Sequence, residues 1–341
     1  MMCEPTSPAG PRHDCQDAFT VIVPAFGRPR TTARVLARLA QLHVPTIIVD
    51  DGSEPALDLA AATSPWVTLI RQRHAGAAAA RNRGADTCKT PWIVFSDNDA
   101  LWTERTVARL RHLVRTTPPR TWVIGALRYP ASESSLWTQF VRRQSAMTPR
   151  DTSPSRSCGL STGLCLKRRD ELFNLGGFLT GCHDIEDMEL GVRAASSGIS
   201  IVGERETWTA INLDLPCTLA RSVARHRQYL AGHRAFHARW PERRDVPLVS
   251  APGPTLRWRR VAVALLGRRG VEFVSRVGQL SIPLRVVPFM GVVFRFAFSA
   301  GIRQAMEDLE QGILHDREWP YSHASASVES GRTGAERDSA S

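Results

Sequence analysis

Apolar runs of strand length alternate with segments of helical spacing along the first hundred residues of the chain. Residues 19–25 form a largely apolar run typical of a buried strand, and residues 31–42 carry apolar side chains at helical spacing. The alternation continues with strands predicted at 46–49, 66–70 and 92–95 and a helix of small residues at 75–88. Repeated strand–helix–strand units predict a Rossmann-like α/β fold with a mostly parallel sheet, in which ligands bind beyond the carboxyl ends of the strands.

The same alternation extends into the second hundred residues, with one interruption. A helix is predicted at 103–115, strands at 122–127 and 160–166, and a further helix from about Asp187 to Ser196. Between the two strands, residues 145–157 are rich in Ser, Thr and Pro, a composition typical of a mobile loop. Mobile loops beside active sites often act as lids, so this segment is a candidate lid.

Two carboxylates, Asp97 and Asp99, follow the apolar run 92–95 and therefore lie at the end of a predicted buried strand. Carboxylate oxygens are the ligands that Mg²⁺ and Mn²⁺ prefer, and Mg²⁺ sites often combine one or two carboxylates with substrate phosphates. Asp50 and Asp51 follow the second predicted strand, where an ionised carboxylate can accept hydrogen bonds from a uracil N–H or from ribose hydroxyls. These positions favour a metal-assisted site for a nucleoside diphosphate.

A second acidic group stands at the start of the predicted helix that ends at Ser196. It has four carboxylates within six residues, those of Asp184, Glu186, Asp187 and Glu189. Like charges this close raise one another's pKa, whereas the dipole at a helix N-terminus favours negative charge. The residues alone leave two interpretations open: a group that only caps the helix, or one that takes part in chemistry.

The charge of the chain is basic and is carried almost wholly by arginine. The 341 residues have a formal net charge of +11, and 42 of the 44 basic residues are Arg, the exceptions being Lys89 and Lys167. Because the guanidinium presents a planar fork suited to phosphates, this balance favours anionic partners such as nucleotides, nucleic acid or an acidic membrane face. The length suits one large domain with an appendage.

Cysteine usage and the chain ends bear on the cellular setting. The seven cysteines are odd in number and include no C-x-x-C pair, which argues against a disulfide framework or a zinc site and favours a reducing, cytoplasmic setting. Residues 1–17 lack the apolar core of a signal peptide or anchor and are predicted to be disordered. The tail at 317–341 is rich in Ser, Gly and charge and is also predicted to be disordered.

The C-terminal third differs in composition from the rest of the chain. Twelve Arg and only two acids lie between residues 218 and 270, and an apolar stretch at 277–302 is interrupted by Arg285, Arg295 and two prolines. These interruptions make the stretch a poor transmembrane candidate. Two interpretations stay open: helices that cover the core, or a segment docked peripherally on an anionic membrane at the cytoplasmic face.

Six short elements occur in a fixed order between residues 18 and 235. They are VPAFGR (23–28), VDDGS (49–53), Gly76 with ARNRG (80–84), FSDND (95–99), GGF (176–178) and EDMELGVR (186–193). Together they resemble the family 2 glycosyltransferases with a GT-A fold. The resemblance implies inverting transfer of a sugar from a nucleotide-diphosphate donor, with a UDP-sugar expected, to a hydroxyl of a glycan, a lipid-linked glycan or a secondary metabolite.

The resemblance also implies roles for individual residues. Asp187 is implied as the general base with Glu186 beside it, and a divalent metal, Mn²⁺ or Mg²⁺, is implied on Asp97 and Asp99. The implied acceptor side consists of Gly176, Gly177 and Phe178. The implied nucleotide-sugar contacts are Pro24, Ala25, Phe26, Arg28, Asp50, Asp51, Arg81, Asp97 and Asn98, with Asp51 preferred over Asp50 for the base.

One departure from the family pattern concerns the metal. Many relatives have a His as a third metal ligand after the strand that follows the acidic helix, whereas residues 208–214 contain no His. Asn212 stands near that position, and Asp214 or the more distant His226 are alternatives. Metal binding is therefore expected to be looser than in those relatives.

The implied domain plan is a GT-A domain at 18–235, divided into a nucleotide-binding half (18–100) and an acceptor half (101–235), followed by a basic and apolar helical region at 236–316. Two rivals stay open: a catalytically degenerate scaffold of the same fold, and a nucleic-acid-binding protein that uses the arginines of 218–270. Those arginines lack the interleaved aromatic side chains and recognised modules of sequence-reading proteins, apart from Trp240 and Trp258, so no nucleic-acid partner is expected. A dinucleotide-binding oxidoreductase is disfavoured because residues 25–34 contain one Gly, where G-x-G-x-x-G needs three.

Overall fold

Ten strands and nine helices make up the part of the chain that the computed structural model describes, which is residues 18–57, 64–129, 135–146, 160–180, 185–204, 208–213, 218–242, 269–280 and 289–310. The strands are β1 (Phe19–Ala25), β2 (Thr46–Asp50), β3 (Val67–Arg71), β4 (Trp92–Ser96), β5 (Ala100–Leu101), β6 (Thr121–Ile124), β7 (Ala126–Arg128), β8 (Leu164–Arg168), β9 (Ser200–Gly203) and β10 (Thr209–Asn212). The helices are α1 (Pro29–Gln41), α2 (Ala77–Thr87), α3 (Glu104–Thr116), α4 (Leu136–Ala146), α5 (Arg169–Asn174), α6 (Glu186–Ser196), α7 (Leu219–Arg239), α8 (269–277) and α9 (Met290–Glu310).

Seven strands form the main sheet, in the order β3-β2-β1-β4-β8-β6-β9. All run parallel except β8, which pairs antiparallel with both of its neighbours, β4 and β6. The sequence prediction of a mostly parallel sheet is therefore confirmed. Because β1, β2 and β4 are parallel neighbours, their carboxyl ends meet at one edge of the sheet, which is where open α/β sheets bind ligands.

Helices cover both faces of the main sheet because its central strands are apolar on both sides. Val21 and Val23 of β1 pack on one face with the buried side chains of α1 and α3, whereas Ile22 packs on the other face with those of α2 and α6. Close approach of α2 to the sheet requires a glycine. A Cβ at Gly84 would lie 2.4 Å from Cγ2 of Ile22.

The predicted strand at 122–127 is in fact two strands in two different sheets. β6 ends at Ile124 in the main sheet, and β7 pairs with β10 in a three-stranded sheet of order β5-β10-β7. The chain crosses between the sheets at Gly125, where a Cβ would lie 2.3 Å from Leu164 and 2.7 Å from the carbonyl oxygen of Trp208. The apolar pattern continues through this crossing, so periodicity alone joined the two strands.

The helices α4, α7, α8 and α9 share a separate apolar cluster. Its largest buried side chains are the rings of Trp137, Phe140, Phe294 and Phe298. The predicted domain boundary at residue 235 falls within α7. Among the described helices, none is long and apolar enough to cross a membrane.

Several sequence predictions concern residues outside the described ranges. They are the two ends for which disorder was predicted, most of the candidate lid at 145–157, and the acids Asp184 and Asp214. Cys88 and Cys165, the cysteines within the described ranges, are both free and buried.

Candidate active site

A cleft of about 320 Å³ opens where β1, β2 and β4 end. Several predicted site residues line it, together with residues that the sequence analysis did not single out. The predicted ones are Pro24, Ala25, Phe26, Arg28, Asp51, Arg81, Asp97, Asn98, Asp99 and Glu186, and the others include His74, Ala77, Ala78 and Thr180. The loop after β4, the N-terminal half of α2 and the start of α6 therefore converge on one site.

The acidic pair lies in the tight turn that separates β4 from β5. Asp99 is buried, whereas Asp97 is about one-third exposed. Arg28 Nη1 lies 3.2 Å from Asp99 Oδ2, and Arg81 Nη2 lies 3.6 Å from Asp97 Oδ1. Each carboxylate therefore faces the cleft beside an arginine. Carboxylates can bind a metal cation and arginines can bind an anion, so the arrangement suits an anionic ligand that carries a metal ion.

Arg81 is the buried cation that links the acidic pair to the start of α6. It extends from α2, and its Nη1 donates a hydrogen bond of 2.6 Å to Glu186 Oε1. Burial opposes the charged form, but Glu186, Asp97 and Asp187 outweigh it and hold the pKa of Arg81 above its usual value. Arg81 is not a surface residue of α2, because only 6% of it is exposed.

Asp187 is partly buried at the first turn of α6 and does not line the cleft. Burial raises its pKa to about 7, and repulsion from the neighbouring Glu186 adds to the rise. Arg81 and the backbone N–H of Met188, which donates to Asp187 Oδ1 at 2.8 Å, act in the opposite direction. A carboxyl group with a pKa near neutrality is suited to general-base chemistry, since it can both lose and accept a proton at physiological pH.

Asp51 organises the wall of the cleft that begins at His74. Its carboxylate accepts hydrogen bonds from the backbone N–H groups of Ala75 (2.9 Å) and Gly76 (2.8 Å) and from Gln72 Nε2 (2.7 Å). His74 Nδ1 lies 2.9 Å from Asp51 Oδ2, and the His74 ring stacks on Phe26 at 4.1 Å. Asp51 therefore holds in place the loop that carries His74, whose ring stacks on Phe26.

Asp50 is not among the described residues that line the cleft, and its contact with a nucleotide stays a prediction. Its buried carboxylate accepts hydrogen bonds from the backbone N–H groups of Ser53 (2.9 Å) and Leu57 (3.3 Å). The hydroxyl of Ser53 in turn accepts one from the N–H of Gly27 (2.9 Å). Asp50 is therefore a positioning residue that fixes the loop carrying Phe26.

Gly176, Gly177 and Phe178 form a turn that supports α2 and α6 rather than lining the cleft. Both glycines have a left-handed φ, and Phe178 is buried edge-on against Phe95 at 5.1 Å. The Asn82 side chain binds Phe178 at both ends, accepting from its N–H (2.9 Å) and donating to its carbonyl (2.8 Å). Within the described part of the chain these three residues do not line the cleft, whereas Thr180, two residues further on, does. Their contact with an acceptor stays a prediction.

Lys167 is a feature beneath the site that sequence analysis noticed only as a rare lysine. Its side chain is fully buried on β8, with Nζ 4.2 Å from the ring centre of Trp122 and 5.2 Å from that of Phe178. Burial lowers the pKa of the Lys167 amine, and the nearby Cys165 thiol has its pKa raised for the same reason. A third ring, that of Phe95, has its centre 5.0 Å from Nζ. No spacing signal along the sequence could have found this arrangement, because the three rings come from three separate segments.

Asp97 and Asp99 fit a hard divalent cation by the chemistry of their donor atoms. Both offer carboxylate oxygens to the cleft, as Mg²⁺ and Mn²⁺ prefer. Within the described ranges no group of three or more His, Cys, Asp and Glu side chains assembles. Asn212 ends β10 opposite Ala100, and the next N–H, of Leu213, donates to the carbonyl of Asp99 at 2.8 Å.

The acidic pair that follows β4 and the acidic start of α6 meet at the carboxyl ends of parallel strands, where open α/β sheets bind ligands. Residues 20–169 match the family model described as glycosyl transferase family 2. This part of the chain is therefore similar to that family, and the resemblance seen in the sequence is confirmed. The matched range includes Asp51, Arg81 and the acidic pair and ends before the glycine turn and α6.

The curated relatives are also named as glycosyltransferases. The chain is 27% identical over 281 residues to the pre-mycofactocin glycosyltransferase of two Mycobacterium tuberculosis strains, CDC 1551 / Oshkosh and H37Rv, covering 78% of this chain and 57% of theirs. It is 27% identical over 181 residues to an uncharacterized glycosyltransferase of Haemophilus influenzae, covering 50% of this chain and 60% of that one. The chain thus spans less than two thirds of the length of these relatives.

A solved structure with a similar fold is a mannosyltransferase from Pyrobaculum calidifontis in complex with GDP-Man and Mn²⁺. The TM-score is 0.53 at 17% sequence identity, and the match covers 84% of this chain and 87% of that one. At this identity the similarity establishes the fold alone. The prediction of a GT-A fold is confirmed.

Proposed function

We propose that this chain is an inverting glycosyltransferase that moves a sugar from a nucleotide-diphosphate donor, with a UDP-sugar expected, to an acceptor hydroxyl. The observation that carries the proposal is the convergence at one cleft of the acidic pair and the start of α6, joined by buried Arg81 between Asp97 and Glu186. The match of residues 20–169 to the glycosyl transferase family 2 model supports sugar transfer as the reaction at this cleft. Sugar transfer needs both a site for a diphosphate and a base, and both are available here.

The donor half of the cleft binds and orients the nucleotide in this proposal. Pro24, Ala25 and the stacked pair of Phe26 and His74 offer an apolar and aromatic wall for a base. Arg28 contacts the diphosphate, and so does the N-terminal turn of α2, whose small side chains leave its N–H groups accessible.

A divalent cation, Mn²⁺ or Mg²⁺, would be held by Asp99 and Asp97. When bound, it supplies Lewis-acid stabilisation to the departing diphosphate. Arg28 and Arg81 hold the two carboxylates in place through their ion pairs. Arg81 also adds positive charge near the diphosphate. The diphosphate gains negative charge as it leaves.

The acceptor half supplies the base. The carboxylate of Asp187 takes the proton of the acceptor hydroxyl as the acceptor oxygen forms its bond to the anomeric carbon. On the opposite side of that carbon, the bond to the diphosphate oxygen breaks, and the nucleoside diphosphate leaves with both electrons. Attack from the opposite side inverts the configuration at that carbon. Glu186 stays ion-paired with Arg81 and positions Asp187 at the start of α6.

A thermal-shift experiment tests this proposal. The purified chain is heated with UDP, dTDP or GDP and with their sugar conjugates, each with and without Mn²⁺, because a ligand that binds only the folded state raises its apparent stability. We expect a metal-dependent shift for one nucleotide, UDP first. Asp99→Asn should remove the metal-dependent part of the shift, and transfer by this variant should fall by several orders of magnitude.

The matched control is Asp86→Asn, the same chemical change at an exposed position of α2. It should shift like the wild type. No shift of the wild type with any nucleotide would contradict the proposal and favour a degenerate scaffold. An unchanged metal-dependent shift in Asp99→Asn would remove Asp99 from the metal site.

A further inference from the structure

Large apolar side chains are exposed at the junction of α8 and α9. Phe273 and Phe289 are 67% and 80% exposed, and Leu280 and Val292 are about half exposed. Soluble surfaces rarely concentrate such side chains, and an apolar cluster of this kind indicates an interaction site. We refer to these four residues, with Arg269 and Arg276, as the α8–α9 patch.

The members of the α8–α9 patch on α8 share one side of that helix. Arg269, Phe273 and Arg276 are spaced by four and three residues, which places them on one face of α8, and Leu280 follows shortly after the helix ends. The other face carries Val274, which is buried in the cluster with α4 and α9. The exposed face is therefore distinct from the face that packs on the protein.

Helix α4 brings the two parts of the patch side by side. The N–H of Leu136 donates to the carbonyl of Leu280 at 2.9 Å, and Gly291, at the start of α9, packs against Phe140. Leu136 and Phe140 are one helical turn apart on α4. The end of α8 and the start of α9 therefore lie next to each other, and their apolar side chains form one surface.

The charges around the patch are mainly positive. Arg269 and Arg276 are exposed on α8, against one exposed acid, Glu272. The chain as a whole has a net charge of +11. Exposed aromatic side chains beside arginines are a combination that suits an anionic lipid surface, where apolar groups enter the interface and cations meet the headgroups.

We propose that the α8–α9 patch docks the protein peripherally on an anionic lipid bilayer. A second copy of the chain fits this surface less well, because a two-fold contact would bring Arg269 and Arg276 of both copies together. The inference does not depend on the transfer reaction. It would place the acceptor half toward the membrane, since α4 contacts β7, which is joined through β10 to the strand that follows Asp99.

Co-sedimentation with vesicles tests this inference. The full chain is mixed with vesicles of phosphatidylcholine alone or of phosphatidylcholine with phosphatidylglycerol. We expect binding to the anionic vesicles only, weakened by salt. Phe273→Ser with Phe289→Ser should weaken binding by at least about tenfold. Arg269→Glu with Arg276→Glu should abolish the preference for anionic vesicles.

The matched control is Leu69→Ser, an exposed apolar position on β3 at the far edge of the main sheet, which should bind vesicles like the wild type. The changed side chains are exposed, so all variants should keep the wild-type melting temperature and the nucleotide-induced shift. Failure of the wild type to bind anionic vesicles would overturn the proposal, as would wild-type binding by the Phe273→Ser, Phe289→Ser variant. A dimer in ultracentrifugation that this variant dissociates, without vesicle binding by the wild type, would assign the patch to a second copy instead.

Discussion

Two adjacent carboxylates, Glu186 and Asp187, have different environments in this site and are therefore suited to different roles. Glu186 forms the close ion pair with Arg81, whereas burial and repulsion from Glu186 raise the pKa of Asp187 to about 7. Pairs of titratable groups whose environments separate them in this way commonly mark acid–base chemistry. Glu186 is therefore suited to positioning, and Asp187 is the candidate base.

We predict that Asp187→Asn lowers transfer by several orders of magnitude, because the amide cannot take the acceptor proton. In the wild type, kcat/KM should rise with pH through about 7, since the base must lose its proton before it can act. Steady-state kinetics from acid to alkaline pH measure both effects. Near-normal turnover by Asp187→Asn, or a flat profile in the wild type, would exclude Asp187 as the base.

Asp187→Asn should also change the pH dependence of stability, which can be measured independently of catalysis. The pKa of Asp187 is raised from 3.8 to about 7 on folding, so between these values the folded state holds a proton that the unfolded state has lost. The wild type therefore loses stability as pH rises across this window. Asp187→Asn lacks this loss, so its melting temperature should gain on the wild type as pH rises through the window and then level off, whereas Asp86→Asn should follow the wild type throughout.

At the scale of elements, the turn after α5 joins α2 to α6. Arg193 of α6 donates hydrogen bonds to the carbonyls of Leu175 (2.5 Å) and Gly177 (2.8 Å), while Asn82 of α2 holds Phe178 from the other side. The turn therefore sets the position of α6, and with it Asp187, relative to Arg81. Its two glycines differ in their surroundings, and the difference allows a controlled test.

We predict that Gly177→Ala destabilises the fold by about 1–3 kcal/mol more than Gly176→Ala. Both positions have a left-handed φ, which costs an alanine about 1 kcal/mol or somewhat more. Only at Gly177 would the new Cβ also meet Asn82 Oδ1, at 2.7 Å; none of the described atoms lies within 4 Å at Gly176. Urea unfolding midpoints measure the difference, and equal losses would mean that the Asn82 contact adds nothing.

At the scale of the whole molecule, the net charge of +11 causes a weak attraction between the protein and any polyanion. We predict that mixed-sequence DNA binds with a Kd of roughly 10⁻⁴–10⁻⁶ M at physiological salt, and that affinity falls steeply as salt rises. Fluorescence anisotropy with two oligonucleotides of unrelated sequence and equal length measures this. Tight binding to one oligonucleotide and not to the other would support the nucleic-acid rival instead.

The sequence predicted the main sheet well because its strands are short apolar runs separated by helices of clear period. It failed at Gly125, where one apolar run belongs to two sheets. It also could not show that the side chains of Asp50 and Phe178 contact other parts of the protein. Motif spacing cannot distinguish these uses. A carboxylate at a strand end serves equally well for holding its own loop and for contacting a substrate.

What the sequence by itself determined was the order of the elements, the edge of the sheet that carries the site and the residue types gathered there. Those follow from local periodicity and from the parallel pairing that it enforces. The tertiary structure alone decided that Arg81 and Glu186, 105 residues apart, form one ion pair, that Asp187 has its pKa near 7, and that the α8–α9 patch stays exposed. Desolvation, ion pairing and exposure depend on which distant segments pack together, and no local pattern along the chain contains that information.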